Sequence, residues 1–106
     1  MAQSLHAFVG QRPLQELTQL MVEGYDLVFS TRNLVVWFTC EQQPGGPVTA
    51  LYIFAYGEQV YQDQHSNLQS LLYRQFCWDL SRFHLWPRGI ETSHEKIRFL
   101  SSTGPD

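Results

Sequence analysis

Charge is scarce in this sequence. Asp, Glu, Lys and Arg make up 16% of its 106 residues, against roughly 25% in an average globular domain. Lysine is nearly missing: six of the seven basic residues are Arg, and Lys96 is the exception. The net charge of −3 is concentrated in residues 1–63, which hold six acidic and two basic side chains. Nucleic-acid binding calls for a basic footprint to meet the phosphates. Neither half of the chain has one, so a nucleic-acid partner is disfavoured.

Cysteine is limited to Cys40 and Cys77, too few for a disulfide framework, and no signal-peptide pattern opens the sequence. Both lie among apolar neighbours, so buried free thiols in a reducing cytoplasm are the expectation. No apolar run approaches the ~20 residues that span a bilayer, so no membrane association is expected. A Gly-rich phosphate loop, a GxSxG elbow and an HExxH pair are all missing. His6, His65, His84 and His94 are scattered, and 37 positions separate the two cysteines. That is not metal-ligand spacing. Catalytic residues, cofactor and metal are therefore all expected to be none. Cys40 or Cys77 with His84 or His94, and the polar group Glu91, His94 and Glu95, are the residual enzymatic combinations.

Aromatic residues are plentiful instead. Eight of the fifteen fall within 25–61: Tyr25, Phe29, Trp37, Phe38, Tyr52, Phe54, Tyr56 and Tyr61. Two runs there, 34–40 and 49–56, are rich in β-branched and aromatic residues and bounded by turn formers, which predicts strands. Alternation sets Val35, Trp37 and Thr39 against Leu34, Val36, Phe38 and Cys40. It likewise sets Tyr52, Phe54 and Tyr56 against Leu51, Ile53 and Ala55. Neither face of either strand is polar, so the sheet is expected to be covered on both sides.

Leu14, Leu17, Leu20 and Met21 predict a helix over 12–23, with Pro13 in its first turn and Gly24 stopping it. Strands follow at 25–30, 34–41 and 48–56, with a short edge strand at 59–62. Leu68, Leu71, Leu72, Phe76, Cys77, Leu80 and Phe83 predict a second helix over 66–84. The segment 92–100 carries a Thr92–Glu95 capping box but also alternates, and strand is favoured over helix. The fold class is thus α+β, one domain over 1–106. It is a single-layer antiparallel meander of three to four strands with two helices on one face and flexible ends near 1–10 and 101–106.

Two helices leave the second, aromatic sheet face without evident cover. The residues after Pro87 and Gly89 look too few to supply it. The expected function is therefore a small cytoplasmic, non-enzymatic protein-binding module: an adaptor, inhibitor, immunity-type or assembly factor. Its partner would be another protein or a second copy in a homodimer. Trp37, Tyr52, Phe54, Trp78, Arg82 and Trp86 are the expected anchors, because Trp, Tyr and Arg dominate interface hot spots. The alternative is a small enzyme or ligand-binding domain with a pocket between the sheet and the 85–98 segment.

Overall fold

A one-faced apolar stripe and a glycine stop define the first helix, α1 (Leu14–Glu23). Leu17 and Met21 are buried on its inner side, and Leu14 and Leu20 pack beside them. Gly24 ends the helix at φ 119, its N–H turned back to the Leu20 and Met21 carbonyls. An L side chain rarely takes that backbone conformation, which is why glycine stands there. The computed structural model describes residues 7–8, 10–75, 79–89 and 92–102.

Six strands follow the chain: β1 (Ala7–Phe8), β2 (Tyr25–Ser30), β3 (Leu34–Gln43), β4 (Gly46–Ala55), β5 (Glu58–His65) and β6 (His84–Pro87). They form one sheet in the order β1-β6-β2-β3-β4-β5, with every neighbouring pair antiparallel. Further helices are α2 (Leu68–Gln75), a single 3-10 turn (Leu80–Arg82) and α3 (His94–Ser102). The α+β class and the antiparallel meander β2-β3-β4-β5 agree with the sequence. Among the described residues the strand count is higher than three to four, and there are three α-helices rather than two.

Each difference has a physical cause. The predicted helix 66–84 stops being one element, because Asp79 accepts hydrogen bonds from the Ser81 backbone and hydroxyl and starts a separate turn. The chain then extends into β6 beside β2, Leu85 facing Leu27 and Trp86 facing Asp26. Phe83, Leu85 and Trp86 are all buried. A short apolar run of this kind reads equally as helix or strand until its neighbours are known. The 92–100 segment is helical from His94 and not a strand. Its cap is Ser93, whose hydroxyl accepts from the Lys96 N–H, one residue after the Thr92 expected. β1 pairs with β6, and Ser101 is fully buried. Cys77 and Trp78 lie outside the described residues.

The two sheet faces follow the alternation read from the sequence. One carries Leu27, Val36, Phe38 and Leu51 against Leu17 and Met21 of α1 and Leu68 and Leu71 of α2. The other carries Val28, Val35, Trp37, Ala50, Tyr52, Phe54 and Trp86 against Ile97 of α3. Burial of both faces supplies the main driving force, at about 25 cal/mol per Å² of apolar surface. At the outer edge, β5 has a register shift opposite Ile53/Phe54. There Asp63 Oδ1 takes the Gln64 N–H at 2.8 Å. A bulge and a side-chain cap blunt an edge against pairing with another chain.

Candidate functional site

Four of the six expected anchors meet on the α3 side of the sheet. Trp37, Tyr52, Phe54 and Trp86 are only 4%, 6%, 1% and 9% exposed. The cover expected from a second polypeptide comes from this chain: Ile97 is fully buried on the face and Leu100 packs beside it. His94, at the first turn of α3, sets its ring edge-on to three others. Its centroid lies 5.0 Å from Trp37, 4.8 Å from Tyr52 and 5.9 Å from Phe54. The far end of α3 is tied to the β4–β5 turn, where the Gly57 N–H donates to Ser101 Oγ at 2.9 Å. The four aromatic anchors therefore spend their surface within the fold.

Beside them lies a polar network that the sequence reading passed over. Asp26 alternates onto the same face as Val28, and its side chain has no solvent exposure. Oδ2 accepts from Trp37 Nε1 at 2.8 Å. Oδ1 accepts from Thr39 Oγ1 at 2.8 Å and from Arg88 Nε at 2.7 Å. Another guanidinium nitrogen of Arg88 donates to the Met21 and Tyr25 carbonyls, and its backbone N–H donates to the Gly24 carbonyl. Arg88 thus clamps the end of β6 to the α1–β2 corner. Burial pushes the Asp26 carboxyl above its ordinary range, and Trp37, Arg88 and Thr39 pull it partly back. A charged group on an otherwise apolar strand face was the one signal that could have marked it.

Next to this network the Tyr52 hydroxyl donates to Glu41. Burial, and secondarily the Glu41 carboxylate, push the Tyr52 phenol well above its usual range. Tyr52 therefore stays protonated and serves as a donor. Cys40 is a free thiol, half-buried rather than fully buried. It lines a groove of about 100 Å³ with Met21 and Val22 of α1, across the sheet from His94. The two do not form a nucleophile pair. Among the described residues, no three His, Cys, Asp or Glu side chains could hold a metal ion together.

No family model, curated protein or solved structure matches this chain. The site therefore has to be read from its own geometry. No helix among the described residues is long and apolar enough to cross a membrane. Trp78 lies outside the described residues, which leaves Arg82.

Arg82 is exposed and sits at the end of the 3-10 turn. Its guanidinium carbon lies over the Phe29 ring, 5.8 Å from the centroid. Phe29 in turn stacks on buried Phe83 at 5.4 Å, which packs on Phe38 at 5.7 Å. Around this pair opens a groove of about 570 Å³ lined by Gly10, Phe29, Ser30, Ser81, Arg82 and His84. Phe29, Ser30 and His84 join Arg82 only in three dimensions, and no spacing in the sequence announces them. A second open groove, of about 480 Å³, lies between α1 and α2. Its lining among the described residues includes Gln15, Thr18, Gln19, Asn67 and Gln69 and contains no charged side chain.

Proposed function

We propose that this protein is a small non-enzymatic binding module that docks another protein at the Arg82–Phe29 groove. The observation that carries this reading is an exposed arginine held over an aromatic ring at the rim of an open groove. Among the described residues Arg82 makes neither an ion pair nor a hydrogen bond. Arginine and aromatic side chains in such a setting are the residue types that dominate protein interfaces. The ionisable groups of the α3 side support a binding role over catalysis, because they are engaged with one another: Asp26 with Arg88, Trp37 and Thr39, and Tyr52 with Glu41. A reducing, cytoplasmic setting suits the free Cys40 thiol.

Affinity capture from native lysate, run in parallel with wild type and Arg82→Ala, tests the reading. Light scattering of the wild type alone shows whether the partner is a second copy. The expected result is a captured protein, or a self-association, that Arg82→Ala loses while its circular dichroism is unchanged. Identical captures by both proteins would overturn the groove as the docking site. A wild type that is strictly monomeric and captures nothing would overturn the binding role.

A further inference from the structure

The groove at Arg82 has a chemistry that narrows what it takes. Arg12 and Arg88 are paired, with Glu16 at 3.3 Å and Asp26 at 2.7 Å, whereas among the described residues Arg82 meets the Phe29 ring alone. A guanidinium resting over a ring keeps its in-plane N–H donors available, and those donors match the two oxygens of a carboxylate. Among the described residues, no lining residue of the groove is acidic. The nearby carboxylate in the chain, Asp79, turns one oxygen to the Ser81 N–H and hydroxyl at 3.2 and 2.6 Å. Ser30 and His84 also line the groove. The floor is apolar, since Phe29 is backed by Phe83.

Resting on the binding role proposed above, we infer that this groove receives an acidic peptide segment of the partner. A carboxylate would lie in the Arg82 fork, and an adjoining apolar or aromatic side chain would pack on Phe29. Charge complementarity favours this occupant over a polyphosphate. The whole chain is net −3 and residues 1–63 are net −4, so a densely anionic partner is repelled, while a single carboxylate meets a local cation. The groove is open to solvent and not enclosed, a shape that suits side chains of an extended segment.

The full chain, labelled with ¹⁵N, would be titrated with N-acetyl-Phe-Glu-amide, with N-acetyl-Phe-Gln-amide and with inorganic phosphate. The acidic peptide is expected to shift the backbone amides of Phe29, Ser30, Ser81, Arg82 and His84 in a saturable way. Loss of the charge in the Gln peptide is expected to weaken binding about tenfold, the usual worth of a charge-assisted hydrogen bond. Arg82→Gln should abolish the difference between the two peptides and leave amides elsewhere unmoved. Equal binding of both peptides, shifts located away from the groove, or a preference for the acidic peptide that persists in Arg82→Gln would overturn the inference. Phosphate shifting the same amides as strongly would make this a small-anion site and overturn the peptide. Failure here with a capture that still depends on Arg82 would leave the docking role standing and remove only its acidic occupant.

Discussion

The Arg88 guanidinium reaches Asp26 Oδ1 at 2.7 Å across 62 positions of sequence, and the Asp26 side chain it meets has no solvent exposure. This contact joins the end of β6 to the corner where α1 turns into β2. It also lets a carboxylate sit beneath an aromatic face without being left unpaired. Replacing a partner in a buried pair leaves the other charge uncompensated, which typically costs about 3–5 kcal/mol.

Asp26→Ala is accordingly expected to lower unfolding free energy in urea by about 3–5 kcal/mol, since Trp37 Nε1, the Thr39 hydroxyl and Arg88 all lose an acceptor. Arg88→Ala and the double variant complete a cycle. Their coupling should exceed about 0.5 kcal/mol, as expected of groups in contact. Additive losses would show that the two side chains stabilise the fold independently.

The pH dependence follows from the direction of the Asp26 shift. Burial holds this carboxyl above its ordinary value in the folded protein, so the folded state binds the proton more readily than the unfolded state. Its stabilising contribution is complete below the unfolded value and fades as pH rises through the folded one. Urea melts of wild type and Asp26→Asn from neutral to acidic pH should show the wild type gaining on the variant as pH falls. The reverse slope would mean that Arg88, Trp37 and Thr39 outweigh burial.

Tyr52 gives a spectroscopic counterpart. Its phenol is raised by burial and by Glu41, so in an alkaline absorbance titration it should ionise later than an ordinary phenol. Tyr52→Phe should remove that late fraction and cost about 0.5–1.5 kcal/mol, the usual net worth of a hydrogen bond. A titration curve unchanged by the substitution would contradict the Glu41 contact.

The seat of α3 makes a fourth prediction. Ile97 is fully buried beneath the helix, and Ile97→Ala should cost about 2–5 kcal/mol as a large-to-small core change. At Gly57, φ 83, a Cβ would lie a tight 3.0 Å from Ser102 Cβ, so the helix end would have to shift by a few tenths of an ångström. Gly24 also has a positive φ but open space around it. Gly57→Ala should therefore destabilise more than Gly24→Ala and speed hydrogen exchange throughout α3. Equal effects would mean that only backbone strain matters at Gly57.

The outcome for the aromatic anchors separates two kinds of information. Alternation alone groups Trp37 with Val35 and Thr39, and Tyr52 with Phe54, because a strand's side chains alternate whatever surrounds it; the β3–β4 register then brings the two groups onto one side of the sheet. That the face needed cover was also legible, since apart from Asp26 and Thr39 its positions are apolar or aromatic. What covers it was not. The 92–100 segment satisfies a helical stripe through Ile97 and Ser101 as well as a weak alternation. Only the presence of an aromatic face to receive the stripe decides for helix. Burial then turns three expected contact residues of the meander, together with Trp86, into core.

By itself, then, the sequence determined the α+β class, the extent of α1, the meander β2-β3-β4 and the partition of its residues between two faces. These rest on short-range periodicity, on Gly24 and on turn residues, all of which act within a few positions. Tertiary structure alone decided the insertion of β6 beside β2, the Asp26–Arg88 clamp and the meeting of Arg82 with Phe29. Each joins residues more than fifty positions apart. The physical reason is that pairing between distant segments depends on which backbone edges and apolar faces are left open once the local elements have formed. No local pattern encodes that choice.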